Sequence, residues 1–245
     1  MEKKKIIIAV VAVLVVAVVC ACVFLCGGEG KPREEALAFK EEYESINGKT
    51  ARGDYVYRSL NIDEKNPYIK VTVDDIVQKI NNKESFYLYV GDPLCPWCRS
   101  GLEKMIEVAI KEGIKDIYYI DFWDDDHNEI LRDLYEVKEV DGELKLVQTQ
   151  EATSGYKELL KAVDNYVQKY TIIKDGVEYD TEEKRIMGGD HFYFSKGECN
   201  KYVSLRSDVL SNAFDELTEE VLNDQKTKFT EFFTHGNACD GESDC

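Results

Sequence analysis

Basic residues are scarce relative to acidic ones in this chain. Its 245 residues include 31 lysines and arginines but 48 aspartates and glutamates, so the formal net charge is −17. Phosphate binding needs clustered lysine and arginine, and this balance therefore argues against a nucleic-acid-binding protein. It also argues against docking of the folded part on an anionic membrane surface. The acidity by itself favours solubility and specifies no partner.

Histidine is rare as well, with only three residues, His127, His191 and His235. His191 and His235 have no catalytic partner recognisable in the sequence, and we assign them no catalytic role. His127 follows three aspartates at 124–126, an order that invites a metal site. A run of charge after a predicted strand is more typical of a solvated turn, so we predict no metal and no bound cofactor.

No internal repeat is present, and the only low-complexity tract is apolar and close to the N-terminus. Residues 6–26 form an uncharged run of 21 residues, preceded by lysines at positions 3–5. A run of this length can cross a bilayer as a helix, and its basic flank predicts a cytoplasmic N-terminus. We therefore predict that residues 1–28 are a cytoplasmic stub and single-pass anchor in the cell membrane, with all later residues extracytoplasmic.

A lipoprotein signal is the main alternative for this segment. Residues 19–22 loosely resemble a lipobox, in which Cys22 would be lipidated after cleavage. Residues 23–25 continue the apolar run where a polar tether would be expected. A spanning anchor is favoured for this reason, and a cleaved, fully secreted form is the third alternative.

Five of the eight cysteines lie outside the predicted anchor, at positions 95, 98, 199, 239 and 245. Disulfides persist outside the cytoplasm, but an odd number leaves at least one thiol unless it pairs between chains. We expect that thiol to be Cys199. For Cys239 and Cys245, in the tail at 236–245, a structural disulfide is favoured over a regulatory dithiol or a substrate tail for Cys95.

The tetrapeptide Cys95-Pro96-Trp97-Cys98 follows an apolar, β-prone run and precedes apolar residues at helical spacing. This pattern predicts a strand, a turn and a helix whose first turn contains both cysteines, and proline suits that turn. Partial positive charge at a helix start favours the thiolate of the first cysteine. Two thiols at this spacing can close a small ring reversibly, as in a redox site.

A structural disulfide and half of a zinc site are the alternative roles for this cysteine pair. A four-cysteine zinc site usually needs a second close pair, and Cys239 and Cys245 are more widely spaced than common zinc knuckles. The redox interpretation is therefore favoured over both. Trp97, between the cysteines, either binds a peptide as an exposed aromatic side chain or packs on the neighbouring loop.

The order of predicted elements indicates an α/β fold. A charged helix at 32–46 and an extended arm make up residues 29–70. Next come a helix from 72, a strand at 86–90, the helix from 96 and a strand at 114–122, an order that requires a crossover between parallel strands. We predict an insert at about 123–184 with helices at 126–135 and 156–170 and an extended segment at 144–147. A hairpin at 191–205 and a helix at about 215–233 follow.

Residues 72–122 and 185–205 resemble the thioredoxin family, and more narrowly the membrane-tethered thioredoxin-like and bacteriocin transport accessory proteins of bacteria. The resemblance implies a three-layer domain at 71–235, with a mixed sheet between helices and a helical insert. It implies that Cys95 attacks a protein disulfide, that Cys98 resolves the mixed disulfide, and that an unidentified redox partner is needed.

Three positions depart from the pattern of that family. Leu94 stands where the family usually has tryptophan, Tyr89 where it has a buried aspartate, and Gly189 where it has a cis-proline. Glycines at 188–189 still allow a sharp turn, so Gly189 and Asp190 join Trp97 as expected substrate-binding residues. We predict a membrane-anchored, extracytoplasmic thiol-disulfide oxidoreductase. The alternative is a redox-inactive binding or adaptor module for a secreted peptide or transporter.

Overall fold

A five-stranded mixed sheet organises the part of the chain that the computed structural model describes, residues 31–124 and 126–234. Numbered along the chain, its strands are β1 (Tyr68–Lys70), β2 (Phe86–Gly91), β3 (Ile117–Asp121), β8 (Asp190–Ser195) and β9 (Glu198–Ser204). Their order is β1-β3-β2-β8-β9. Strands β1, β3 and β2 are parallel, whereas β8 is antiparallel to both β2 and β9. The predicted mixed α/β sheet is thereby confirmed.

Helices cover both faces of this sheet. They are α1 (Glu34–Glu44), α2 (Val73–Asn81), α3 (Pro96–Lys111), α4 (Ser154–Ala162) and α5 (Glu219–Thr234). One core cluster joins α1, α3 and α5 to the sheet, and a second joins α2 and α4 to its other face. All six residues of β2 are buried, because successive side chains point into opposite cores.

The start of α2 follows from its sequence. Thr72 accepts a hydrogen bond from the Asp75 backbone N–H, and the Asp75 carboxylate accepts one from the Thr72 backbone N–H. This capping box satisfies two N–H groups that a helix start otherwise leaves without partners. The predicted helix start at 72 is confirmed.

A glycine lets α3 pack closely on the segment after β9. A Cβ atom on Gly101 would lie 2.5 Å from the carbonyl oxygen of Leu205. The Leu205 N–H in turn donates to the Gly189 carbonyl oxygen over 2.9 Å. This contact brings the first turns of α3 beside the loop that precedes β8.

The prediction of a helical insert is wrong. Residues 126–135 form turns and the start of a strand, and the insert contains two antiparallel hairpins with one helix, α4, between them. The hairpins are β4 (Leu134–Val140) with β5 (Glu143–Gln150), and β6 (Gln168–Lys174) with β7 (Val177–Arg185). Each turns at an Asp-Gly pair with positive φ, at 141–142 and at 175–176. Asp-Gly is a strong hairpin signal, and here it outweighs the apparent helical spacing.

Other boundaries differ less from those predicted. The helix predicted at 156–170 ends at Ala162, and the β-prone residues that follow belong to β6. Strand β1 is an addition to the predicted elements. The predicted anchor at 1–28, with Cys22, and the tail at 236–245 lie outside the described residues, as does His235. Within 31–124 and 126–234, no helix is long and apolar enough to span a bilayer.

Candidate dithiol site

Cys95 and Cys98 lie at the start of α3, which follows β2 after a short loop. Cys95 is the N-cap residue, Pro96 is the first helical residue, and the Cys98 backbone N–H donates to the Cys95 sulfur over 3.2 Å. Cys95 is partly exposed, whereas Cys98 is fully buried. The helix start therefore presents one sulfur to solvent and encloses the other.

Gly188 faces both sulfurs from the loop before β8. A Cβ atom at this position would lie 3.1 Å from the Cys95 sulfur and 3.3 Å from the Cys98 sulfur. The Cys95 thiol donates to the Gly188 carbonyl oxygen over 3.8 Å. The backbone at Gly188 thus forms one wall of the site. A side chain at this position would reduce the space around both sulfurs.

Gly189 makes the turn that brings this backbone to the dithiol. Its φ is +104°, a region that favours glycine, and its N–H donates to the Val90 carbonyl oxygen over 2.9 Å. A Cβ atom on Gly189 would lie 3.9 Å from the Cys98 sulfur. All peptide bonds of the described residues are trans, so the turn relies on glycine conformation and not on a cis-proline.

Asp190 is beside the site, but its carboxylate is engaged within the protein. It accepts hydrogen bonds from the Met187 backbone N–H and from the Tyr202 hydroxyl, each over 2.9 Å. Burial raises the pKa of Asp190 to about 6. Its observed contacts fix the turn at 187–190. Contact of Asp190 with a substrate stays a prediction.

Trp97 is half-buried and packs against a cation. The Arg206 guanidinium lies over the Trp97 ring, 4.5 Å from its centroid. Such a contact holds the two side chains together while both remain at the surface. Of the two predicted roles of Trp97, packing on a neighbouring loop is therefore observed, and its ring still borders the groove described below.

The buried Cys98 thiol has a hydroxyl partner. Burial raises the pKa of Cys98 well above its ordinary value, and the neighbouring Cys95 sulfur raises it further. The Tyr89 hydroxyl acts in the opposite direction and lowers the pKa of Cys98. Tyr89 thus contacts the second thiol from the centre of β2, at the position where the resemblance to the thioredoxin family implies a carboxylate.

Tyr89 is held in place on two sides. Its hydroxyl forms a hydrogen bond of 2.8 Å with the Tyr43 hydroxyl of α1, and both residues are fully buried. Its ring folds back over the end of β2, where a Cβ atom on Gly91 would lie 2.2 Å from the Tyr89 hydroxyl oxygen. The observed orientation of Tyr89 therefore requires glycine at position 91. A glycine at the end of a buried strand is visible in the sequence and could have indicated this close contact.

His191 is a buried histidine to which the sequence assigned no role. Its ring stacks on Tyr89 with centroids 4.4 Å apart, and Nε2 is 2.9 Å from the Tyr68 hydroxyl. Nδ1 is 3.3 Å from the Gly189 carbonyl oxygen. Burial lowers the pKa of His191 to about 3, so the ring is neutral. It links the glycine turn to β1 and does not touch the sulfurs.

Arg99, which directly follows Cys98, is a second residue to which the sequence assigned no role. Only 1% of its surface is exposed. Its guanidinium donates to the backbone carbonyl oxygens of Tyr43, Arg58 and Pro93 and to the Asn47 side chain. These contacts hold the extended arm and the loop before Cys95 against the start of α3.

Cys199 is separate from the dithiol. It lies on β9, its thiol donates to the Lys201 carbonyl oxygen over 3.7 Å, and it packs against the core on the α2 and α4 side. Burial raises the pKa of Cys199 to about 12, which keeps it protonated. It is a free thiol in the structure, with little tendency to react.

A groove of about 920 Å³ borders the dithiol, and we call it the dithiol groove. It is lined by residues from the insert, the first turn of α3, the loop before β8, β9 with the residues that follow it, and α5. These include Trp97, Tyr166, Arg185, Met187, Gly188, Tyr202, Arg206, Lys228, Glu231 and Phe232. Gly188, whose carbonyl oxygen accepts a hydrogen bond from the Cys95 thiol, lines the groove, so the groove lies beside the partly exposed Cys95.

Comparison with known protein families gives no match for this sequence, and no curated protein matches it. The site has an accessible sulfur, Cys95, and an enclosed sulfur, Cys98, in the same helical turn, and the Tyr89 hydroxyl lies near the enclosed sulfur. This arrangement can perform thiol-disulfide exchange.

Proposed function

We propose that this protein is a thiol-disulfide oxidoreductase with a thioredoxin-like fold that acts on protein disulfides through Cys95 and Cys98. The observation that carries the proposal is the unequal exposure of two sulfurs in one helical turn, both packed against Gly188. The order of the five-stranded sheet, with the cysteines at the end of its central strand, supports the thioredoxin-like assignment.

In the first step, the Cys95 thiolate attacks one sulfur of a substrate disulfide. A bond forms between Cys95 and that sulfur, and the other substrate sulfur leaves as a thiolate that takes up a proton. Cys95 suits this role because it is the partly exposed sulfur, whereas Cys98 is buried. The start of α3 adds partial positive charge beside it.

In the second step, the Cys98 sulfur attacks Cys95 and releases the first substrate sulfur. Two electrons have then passed to the substrate, and Cys95 and Cys98 share a disulfide. Cys98 must lose its proton to react, in a setting where burial raises its pKa. The Tyr89 hydroxyl stabilises the developing thiolate by donating a hydrogen bond to it. Run in reverse, the same steps oxidise a substrate dithiol, and the redox partner decides the direction.

The proposed location is the outer side of the cell membrane, with residues 1–28 as a single-pass anchor. Its support is the uncharged run at 6–26 and its basic flank. A membrane-impermeant maleimide applied to intact cells is expected to label Cys95. Labelling only after the cells are opened would contradict this location. A lipid mass on an N-terminal Cys22 would select the lipoprotein alternative.

The test of function is disulfide exchange by the purified full chain. Reduction of insulin or of glutathione disulfide is expected in the wild type, to be lost in Cys95→Ser, and to be unaffected by Cys199→Ser. Absence of any exchange that depends on Cys95 would overturn the enzyme assignment.

A binding module is the second candidate, and the trans glycine turn at 188–189 favours it, because that turn lacks the rigid proline of the family. A Cys95→Ser, Cys98→Ser double variant with full cellular function would support this candidate. Loss of function in the double variant would favour the oxidoreductase.

A further inference from the structure

Strand β9 forms one edge of the five-stranded sheet, next to β8. The Leu205 N–H donates to the Gly189 carbonyl oxygen, which precedes β8. Successive residues of a strand direct their N–H and C=O groups to opposite sides, so those of Tyr202 and Ser204 face away from β8. In the part of the chain that the structure describes, no strand pairs with that side of β9. The edge of β9 therefore has hydrogen-bonding groups to offer.

The dithiol groove follows this edge. Five consecutive residues at 200–204 line it. Alternate side chains of a strand point to opposite faces of a sheet, so a cavity lined by all five lies at the edge of the strand. Phe232 of α5 lines the groove on one face of the sheet, and Tyr166 of the insert lines it on the other. The floor of the groove is thus the backbone of β9, and its walls are side chains.

The groove leads toward the dithiol. Strand β8 is antiparallel to both β2 and β9, so β2 and β9 run in the same direction. Their C-terminal ends therefore lie at the same end of the sheet, where α3 begins with Cys95. Beyond that end of β9, Arg206 lies over Trp97, and both residues line the groove with Gly188. A chain that follows β9 toward its C-terminal end arrives at the end of the sheet that carries the dithiol.

The walls of the groove carry charges of both signs. They include Arg185, Arg206, Asp190, Asp208 and Glu231. Net charge therefore gives a partner little advantage, and recognition through groups common to all polypeptides fits the groove better. An extended polypeptide supplies such groups, because its backbone N–H and C=O can complete the ladder that β9 leaves open.

We propose that an extended segment of the substrate polypeptide pairs with the free edge of β9 as a sixth strand while its disulfide reacts with Cys95. This proposal rests on the proposed oxidoreductase function and names its substrate class. The substrates are unfolded or flexible segments, because a strand within a folded sheet already has its backbone groups paired. A second copy of this chain fits less well, since the walls on both faces of the edge leave room for one strand and obstruct a second sheet.

Peptide disulfides test the pairing with the full chain. A short peptide of threonine, valine and glutamine with one central cysteine is oxidised to its symmetrical disulfide. In a Cys98→Ser variant, which cannot resolve the mixed disulfide, mass analysis follows formation of the bond between Cys95 and the peptide. This reaction is expected to be about 10-fold faster than that with glutathione disulfide, whose tripeptide is too short to pair as a strand, an advantage equivalent to about two net hydrogen bonds.

Backbone N-methylation supplies matched control peptides. Methyl groups on alternate residues block one edge of the peptide and leave the other free, so this probe is expected to keep its advantage. Methyl groups on every residue of both arms block both edges, and this probe is expected to react no faster than glutathione disulfide. Equal rates for the two methylated probes would overturn strand pairing.

Variants at Ser204 test whether β9 is the strand that pairs. Ser204→Pro removes one N–H from the free edge, a change that edge strands tolerate, whereas Ser204→Ala removes only the hydroxyl. The rate with the peptide, divided by the rate with glutathione disulfide, is expected to be about 5-fold lower in Ser204→Pro than in Ser204→Ala. Equal ratios would contradict pairing with β9.

The outcomes separate this proposal from the proposed function. If Cys95 reacts with glutathione disulfide and the peptide has no advantage, pairing with β9 is wrong and the oxidoreductase remains. If Cys95 reacts with neither, both are wrong. A dimer in sedimentation experiments that Ser204→Pro dissociates would assign the edge to a second copy of the chain and would overturn the proposal.

Discussion

The Tyr89 hydroxyl lowers the pKa of the Cys98 thiol, and this yields a quantitative prediction about the resolving step. Tyr89→Phe removes the hydroxyl and keeps the ring that stacks on His191. A hydrogen bond to a charged group contributes about 1.5–3 kcal/mol. About half of this loss reaches the rate, because a more basic thiolate is also a better nucleophile. The resolving step is therefore expected to slow about 4- to 13-fold at neutral pH, at 1.36 kcal/mol for each factor of ten.

The assay starts from the mixed disulfide of Cys95 with glutathione and follows release of glutathione by the Cys98 thiol in a single turnover. Because the hydroxyl stabilises the thiolate, the pH at which the rate levels off is also expected to move upward in Tyr89→Phe. The first step at Cys95 is expected to change little, since Tyr89 acts on the buried sulfur.

Tyr43→Phe is the matched control. It removes the other hydroxyl of the 2.8 Å pair and leaves the contact between Tyr89 and Cys98. Tyr43→Phe loses the buried hydrogen bond between the two hydroxyls, which lowers the free energy of unfolding by about 1 kcal/mol. Tyr89→Phe loses the same bond and also the contact with Cys98. A resolving rate in Tyr89→Phe equal to that of the wild type, or an equal slowing in both variants, would refute a specific role of Tyr89.

Three further predictions concern the frame of the site. Gly91→Ala places a Cβ atom 2.2 Å from the buried Tyr89 hydroxyl oxygen, so chemical denaturation is expected to show a loss of about 3 kcal/mol or more; an unchanged midpoint would contradict the packing. Arg99→Met leaves buried carbonyl oxygens without donors, and limited proteolysis is expected to cut the arm near Arg58 before global unfolding; an equally resistant arm would be evidence against this clamp. His191 has a folded pKa of about 3, lowered by burial, so its contribution to stability is present above pH 6.5 and lost as the pH falls toward 3. The free energy of unfolding is expected to lose about 2 kcal/mol of this contribution between pH 8 and pH 5, and the loss is expected to be absent in His191→Asn. Parallel plots of stability against pH for the wild type and His191→Asn would contradict a neutral buried ring.

Local signals in the sequence are sufficient to predict the position of the dithiol. An apolar β-prone run, a proline in the first helical turn and apolar residues at helical spacing are all short-range features, and they place Cys95 and Cys98 at the start of α3. The parallel crossover follows from element order alone, and the five-stranded mixed sheet agrees with it.

The insert is predictable in principle, because its signals are also local. The Asp-Gly pairs at 141–142 and 175–176 mark hairpin turns, whereas the spacing of apolar residues around them imitates helical periodicity. The helix predicted at 156–170 shows the same error, since its second half becomes β6.

The residues around Cys98 could not be assigned from the sequence. Tyr43, Tyr89 and His191 come from three separate elements, and their contacts exist only after the sheet and α1 have packed. Arg99 illustrates the difficulty. An arginine in an amphipathic helix is usually exposed, whereas Arg99 is buried and donates hydrogen bonds to carbonyl oxygens of the arm. Long-range packing decided each of these cases.

The central claim is reversible exchange between the two sulfurs of α3, and a redox titration tests it most directly. The full chain would be equilibrated with dithiothreitol buffers of stepped potential, alkylated, and analysed by mass for the peptide that contains Cys95 and Cys98. We expect one two-electron transition between a dithiol and a Cys95–Cys98 disulfide, which Cys199→Ser leaves in place. Alkylation of both cysteines at every potential would contradict the account.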